Sequence, residues 1–348
     1  MSNTSYAYEQ PGNYARGWHV VLFSNELAIG EIKSLRYFER DLIVFRGENG
    51  EVAALDAYCP HLGAHLGGTG SKVIGNTVRC AFHGWQYDKS GACTHIPFAS
   101  KIPERAKNAL DAWIVTEKCG FIAVWHDQEG GLPDYELPDI PNWGKDAWGD
   151  WAFKRSRIPT QGKEIIENIV DKAHFAFVHG GVPEKFDITF DKHKVTQDSR
   201  IVTNGENVKI IPESAPDWLK ERMSTSEGGV SAGKATYYGP AVMYYYSEMT
   251  MYDVSFKTWW LNFHVPVNDK EVDLCSGVII APLGDEPIPD EYRLMYPEIA
   301  HAAFGQDVEI WKSKKYQVDP ILCDADGPVN KLRKWYDQFY QKKIIASS

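Results

Sequence analysis

Along residues 15–125 the apolar positions come in short runs separated by glycine, asparagine and charged turns. WHVVLFS (18–24), DLIVFRG (41–47), EVAALDAYC (51–59), NTVRCAF (76–82) and IVTEKCGFIAVW (114–125) have the length and the β-branched and aromatic content of strands. ENG at 48–50 reads as a hairpin turn between two of them. Residues 127–150, rich in glycine, proline and acid, read as a linker. KEIIENIVDKAHFAFVH (163–179) has helical spacing and is stopped by Gly180 and Gly181. Residues 186–282 return to strand patterns, long and aromatic in YYGPAVMYYYSEMTMYDV (237–254) and FKTWWLNFHVPV (256–267). Helical spacing recurs at 290–316 and 329–343. The expectation is an α+β protein of two domains, residues 15–126 and 127–348, each β-rich and the second carrying the helices.

Composition narrows the function. In 348 residues, 43% hydrophobic and 13% aromatic content supports buried cores and argues against wholesale disorder. A net charge of -10 argues against nucleic acid as a partner. No run of about 18 apolar residues predicts a membrane span. The polar start, MSNTSYAYEQPGNYARG, lacks the apolar core of a signal peptide, so the expected location is the cytoplasm. There the six cysteines are not a disulfide framework. Cys93, Cys119, Cys275 and Cys323 are expected to be buried free thiols.

Cys59 and Cys80 stand in a different context. Cys59-Pro60-His61 is followed, after eighteen residues, by Cys80-Ala81-Phe82-His83. Each half follows an expected strand and enters a glycine-bearing loop. Two thiolates and two imidazoles suit zinc or a Rieske [2Fe–2S] cluster, in which two His replace two Cys on one iron. Structural zinc sites usually pair Cys with Cys and His with His, whereas each half here supplies one of each, which favours the cluster. His65 lies outside the pattern and reads as a loop residue. CPHLGAHLGGTG…CAFHGWQYDKSGAC resembles the Rieske domain of the ring-hydroxylating and related non-haem iron oxygenases, with Trp85, Tyr87 and Gly91 in matching positions. The resemblance implies that Cys59 and Cys80 bind one iron and His61 and His83 the other.

Asp171, His174 and His179 form a D-x-x-H-x-x-x-x-H pattern. Two His and one carboxylate make the facial triad of non-haem Fe(II) oxygenases. On a continuous helix Asn168, Asp171 and His174 would share a side, as successive i,i+3 neighbours. His174 and His179, five apart, would diverge by about 140°. The helix must therefore bulge or unwind before Gly180, and a π-type turn is the expected device. The plain alternative is an amphipathic helix with two incidental His. The segment resembles the catalytic helix of the Rieske oxygenases. The resemblance implies that both His bind iron and that Asp171 bridges to a cluster His of the neighbouring subunit.

The third ligand is expected at Asp307, on the side of a late helix that also carries Ala303, Ile310 and Trp311. A carboxylate on an apolar face needs a partner, and a metal supplies one. A salt-bridged surface acid is the alternative, and Glu309 is the competing candidate. The Q-D-x-x-I/V-W pattern resembles the family's carboxylate-bearing helix.

The family resemblance, laid along residues 15–345, also implies a helix-grip catalytic domain, a [2Fe–2S] cluster, a mononuclear Fe(II), O₂ as a substrate and a homotrimer. No dinucleotide-binding G-x-G-x-x-G follows a strand, so an NAD(P)H-dependent reductase is expected to be a separate protein. The tail, QDVEIWKSKKYQVDPILCDADGPVNKLRKWYDQFY, resembles the oxygenase component of 3-ketosteroid 9α-hydroxylase. It points to monooxygenation of a small apolar ring substrate, a 3-ketosteroid first. Other ring hydroxylations, O-demethylation and desaturation use the same site, and an electron-transfer module without catalysis is the reading from another class. Of Tyr244, Tyr245, Tyr246, Trp259, Trp260 and Phe263, alternate residues face one side of a sheet and either line a pocket or fill the core. Lys331, Arg333 and Lys334 read as a solvated helix face or a guide for an acidic reductase.

Overall fold

The apolar runs of the first third become ten strands: β1 Gly17–Phe23, β2 Ile32–Tyr37, β3 Arg40–Arg46, β4 Val52–Asp56, β5 Lys72–Ile74, β6 Thr77–Arg79, β7 Gln86–Tyr87, β8 Cys93–His95, β9 Ala112–Lys118 and β10 Phe121–His126. Apart from Gly17 at the start of β1, they belong to a unit spanning Trp18–Asp134. The chain's other unit joins Met1–Gly17 to Tyr135–Ser348. The structure is a computed structural model that describes residues 12–340 except 142, 145–147, 204–216, 218–220, 222–228, 252–253 and 285–286. The start of the polar N-terminal segment, parts of the 127–150 segment, most of 204–228, residues 252–253 of the aromatic strand and residues 341–343 of the last expected helix lie outside the described residues.

In the first unit, six strands run in the order β1-β10-β9-β4-β3-β2, and β5-β6-β7-β8 make a smaller sheet. The expected turn at 48–50 closes the β3–β4 hairpin, with Gly47 N–H bonded to the Glu51 carbonyl. Cys119 and Gly120 both take positive φ between β9 and β10. Leu55, Leu66, Val78 and Tyr87 are fully buried, and Cys59 and Cys80 belong to the same core cluster. The two cysteines are thus anchored by packing before any metal is considered.

The second unit is built on a seven-stranded antiparallel sheet in the order β11-β17-β16-β15-β14-β13-β12. Its strands are β11 Ala152–Ile158, β12 Gly181–Asp191, β13 Lys194–Thr203, β14 Gly229–Tyr238, β15 Val242–Met251, β16 Val254–Asn268 and β17 Glu271–Pro282. Two short helices, α1 Gly162–Ile166 and α2 His174–Val178, lie between β11 and β12, and α3 Asp290–Ser313 and α4 Val329–Tyr336 follow the sheet. The fold class is α+β, as expected. On α3 the buried residues Tyr292, Met295, Tyr296, Ala300, Asp307, Val308 and Trp311 recur at three- and four-residue spacing. They pack on Phe256, Val278 and Ile280 at one end and on Ile158, Val272 and Leu274 at the other. Leu332, Trp335, Tyr336 and Phe339 pack on Ile166, Ile169 and Val170. Burial of each such side chain stabilises by about 1.5–3 kcal/mol, so α4 and the turn after it hold the α1–α2 segment in place.

Several expectations are corrected. Residues 163–179 are not one helix: α1 passes into a 3₁₀ turn, Glu167–Val170, and the chain is extended at Asp171 before α2 begins. The middle of the expected linker is packed, with Tyr135, Leu137 and Ile140 buried and Tyr135 stacked on His193 at 4.2 Å. Cys323 is exposed, unlike the other cysteines. Arg333 is buried rather than part of a solvated basic face; its Nε bonds Glu167 Oε1 at 2.6 Å. No helix among the described residues is long and apolar enough to cross a membrane.

Candidate cluster and metal sites

Two loops of the first unit carry the four cluster candidates, and the loops match. Gly63 N–H bonds the Cys59 carbonyl and Gly84 N–H bonds the Cys80 carbonyl, each glycine four residues past its cysteine. Both have positive φ, 76° and 74°, which glycine takes without a Cβ penalty. The turns bring the His61 and His83 rings to 4.7 Å between centroids, at 75°. Cys59 and Cys80 are each 2% exposed and free. His61 stacks on Trp85 at 4.6 Å, and its Nδ1 is buried without a hydrogen-bond partner. A buried imidazole nitrogen with no partner beside two buried thiols fits a metal cluster, because a ligand bond supplies what hydrogen bonding does not. Tyr87 OH lies 3.1 Å from Cys59 Sγ, a partner that spacing alone did not reveal. His65 is a loop residue, as read from the sequence: its Nδ1 accepts the Gly67 N–H at 3.0 Å.

In the second unit the structure brings His174, His179 and Asp307 together, with one potential ligand atom from each within 4.8 Å of the others. The two imidazoles stand 5.2 Å apart and nearly perpendicular. No π turn is involved. His179 N–H bonds the Phe175 carbonyl in ordinary α fashion, and His179 sits just past α2 with φ −104°. The distortion lies instead at Asp171–Ala173, so that His174 opens a new five-residue helix and His179 ends it. Gly180 follows with φ 70°, turning the chain into β12. Asp171 Oδ1 accepts the N–H groups of Ala173 and His174, which caps α2 in place of a preceding helical turn.

The outer nitrogens of both rings are occupied. His174 Nδ1 lies 2.7 Å from the Asp171 carbonyl, and His179 Nδ1 lies 3.0 Å from Gln306 Oε1. With Nδ1–H donated to an oxygen, each ring presents its Nε2 lone pair. His179 Nε2 is 3.4 Å from Asp307 Oδ2. Burial alone would lower the His179 pKa, but the Asp307 carboxylate and Gln306 hold it above the ordinary imidazole value. The three donors fit an Fe(II) facial triad. Asp307 is buried, as are Val308 and Trp311, whereas Ile310, expected on the same side, is half exposed. Glu309 is exposed and pairs with Lys312. Asp171 keeps a half-exposed carboxylate; burial would raise its pKa, but the neighbouring His174 holds it below the usual carboxylate range.

The triad opens on a cavity of ≈ 370 Å³ lined mainly by apolar side chains. Asn168 lines it, as do Tyr245 and Trp260 on one row across the sheet. Tyr244 turns to the other face and bonds the Pro138 carbonyl, while Tyr246 and Trp259 pack on each other. Sequence reading missed Tyr237, Met243 and Asn262, which follow one another on the adjacent row and face the cavity. Asn262 Oδ1 is buried there without a hydrogen-bond partner.

Comparison with known proteins agrees with this geometry. The family model described as Rieske [2Fe-2S] domain matches residues 17–106, and that described as 3-Ketosteroid 9alpha-hydroxylase C-terminal domain matches residues 124–340. A probable 3-ketosteroid-9-alpha-monooxygenase oxygenase component of Rhodococcus rhodochrous is 35% identical over 95% of this chain and 81% of its own. Its counterpart from Mycobacterium tuberculosis is 34% identical over 95% and 83%. A cholesterol 7-desaturase of Xenopus laevis is 30% identical over 95% and 73%. The fold is shared with apo dicamba monooxygenase (TM-score 0.68, 16% identity, 93% of this chain and 96% of the other). It is shared also with NdmA of Pseudomonas putida CBB5 (TM-score 0.63, 19% identity, 93% and 88%). The chain therefore belongs to the Rieske non-haem iron oxygenases, enzymes that carry a [2Fe–2S] cluster and a mononuclear iron, within the family of the 3-ketosteroid 9α-hydroxylase oxygenase components.

Proposed function

We propose that this terminal oxygenase hydroxylates a 3-ketosteroid, drawing electrons from a separate NAD(P)H-dependent reductase. The observation that carries the reading is the buried Asn262 carboxamide in an otherwise apolar cavity of ≈ 370 Å³. The volume falls in the range of small-molecule sites. Rings without oxygen would leave Asn262 unsatisfied, at a cost of about 1–3 kcal/mol. A carboxamide meets a hydroxyl through Oδ1 or, turned over, a ketone through Nδ2.

In this reading Cys59 and Cys80 hold one cluster iron and His61 and His83 the other, while His174, His179 and Asp307 hold the mononuclear iron. When bound, the cluster supplies single electrons and the iron supplies O₂ activation. The chain's own residues position and exclude. Ile165, Tyr237, Trp260 and Phe304 surround the rings and displace water. Asn168, beside the triad, orients what approaches it.

A head-to-tail homotrimer completes the reading. Leu62, Phe82 and Phe98 are exposed around the His61 and His83 loops, and Phe177 is exposed on the short helix that carries His174. Exposed apolar side chains beside both sites suit burial in an interface, and in this reading the half-exposed Asp171 carboxylate would accept from a cluster histidine of a second copy. Light scattering that returns a trimer supports this arrangement, and a fully active monomer contradicts it. The free cysteines suit a reducing cytoplasm.

The test is binding and turnover of a 3-ketosteroid beside its 3-deoxy analogue. The ketone should bind roughly 10-fold more tightly, as a gain of about 1.4 kcal/mol implies, and Asn262→Leu should erase the difference. Equal binding of the two by the wild type would remove the steroid ketone from the account. The Xenopus relative makes desaturation the second reading, and product mass decides it: one added oxygen or two lost hydrogens.

A further inference from the structure

We infer that Gln306 is a positioning residue that fixes the tautomer and ring angle of His179, and through it the affinity of the triad for its metal. The inference rests on the assignment of His179 and Asp307 as ligands. Consecutive residues of α3 hold the two nitrogens of one ring: Gln306 Oε1 is 3.0 Å from Nδ1, and Asp307 Oδ2 is 3.4 Å from Nε2. A single helical step thus delivers both a ligand and the acceptor that aims another ligand.

His179 needs this support more than His174 does. His174 Nδ1 is held at 2.7 Å by the Asp171 carbonyl, main-chain oxygen that no substitution there removes. His179 follows the last helical residue of α2 and precedes Gly180, and its Nδ1 is met by a side chain rather than by main-chain oxygen. Its ring is oriented by a side chain 127 residues away in sequence. The Gln306 amide oxygen accepts the Nδ1 proton and so turns Nε2 towards Asp307 and the ligand position. A carboxylate would make the same hydrogen bond more strongly and raise the basicity of Nε2.

The test uses the full chain with its cluster in place and its mononuclear metal removed, titrated with Co(II) by equilibrium dialysis. Gln306→Leu should weaken Co(II) binding about 10- to 100-fold, the range for loss of such an outer partner. Gln306→Glu, which keeps the acceptor, should restore binding to the wild-type value or better. The visible spectrum of the cluster and the melting temperature report whether each variant folds, and the Glu variant decides the matter should the Leu variant not fold. Wild-type affinity in Gln306→Leu, or equal weakening in both variants, would overturn the inference. Should His179→Ala also bind Co(II) like the wild type, the ligand assignment itself fails rather than the role of Gln306.

Discussion

The Tyr87 hydroxyl lies 3.1 Å from Cys59 Sγ, two buried side chains meeting beneath the paired Cys–His loops. Burial, then the Cys59 thiol, raise the Tyr87 pKa, so the hydroxyl keeps its proton and would donate it to Cys59 as a thiolate. A donor to a thiolate ligand stabilises the more negative, reduced state of a cluster. Tyr87→Phe should therefore lower the one-electron potential, by roughly 40 mV for each ~1 kcal/mol of difference between redox states. Spectroelectrochemistry of the purified protein checks it, and an unchanged or raised potential contradicts it.

His126 stacks on Phe38 at 4.1 Å, and burial, then the charges of His19 and Arg40, push its pKa down from 6.5 to about 3. The folded state keeps this imidazole neutral while the unfolded chain protonates it below pH 6.5. The contribution to stability is therefore fully present above pH 6.5 and is lost as the pH falls towards 3, at roughly 1.4 kcal/mol per pH unit. Urea midpoints at pH 7 and pH 5 should differ less in His126→Phe than in the wild type. Equal pH dependence would assign the acid sensitivity to other groups.

Arg333 and Glu167 tie the C-terminal helix to the turn that precedes His174, and Lys314 joins them through Glu164 and Glu167. Removing one partner of a buried pair strands the other, at about 3–5 kcal/mol. Arg333→Met should unfold at clearly lower urea than wild type, and Arg333→Met with Glu167→Leu should recover part of the loss. A neutral single variant would show that the pair is solvated.

Ala303 lines the cavity one helical turn before Asp307. Ala303→Phe should fill space beside the triad and lower kcat/KM for polycyclic substrates at least about 10-fold, since a packed apolar pocket resists added volume. Metal content and the cluster spectrum should be unchanged. Undiminished turnover would place the substrate elsewhere.

The parts legible in the sequence were those written locally. Cys59-x-His61 and Cys80-x-x-His83 lie on single turns, and the three- and four-residue spacing of α3 puts Asp307 on a buried stripe. The break before His174 was not legible, because an Asp three residues ahead of a His suits a helix face as well as a cap. Here the cap prevails, with Asp171 Oδ1 taking the N–H groups that a continuous helix would have used. Which aromatics face the cavity depends on register: Tyr245 and Trp260 pair across β15 and β16, and a shift of one residue would have brought in Tyr244 or Tyr246. Gln306 stood in view beside Asp307, but its partner His179 is distant in sequence and only folding brings them together.

The most direct test of the account is reductase-coupled turnover of wild type and Asp307→Ala with a 3-ketosteroid, following product and O₂ together. The account predicts oxygenated product from the wild type and none from Asp307→Ala, whose mononuclear metal is lost while its cluster spectrum is intact. Product from Asp307→Ala at the wild-type rate would contradict the triad, and with it the placement of catalysis in this cavity.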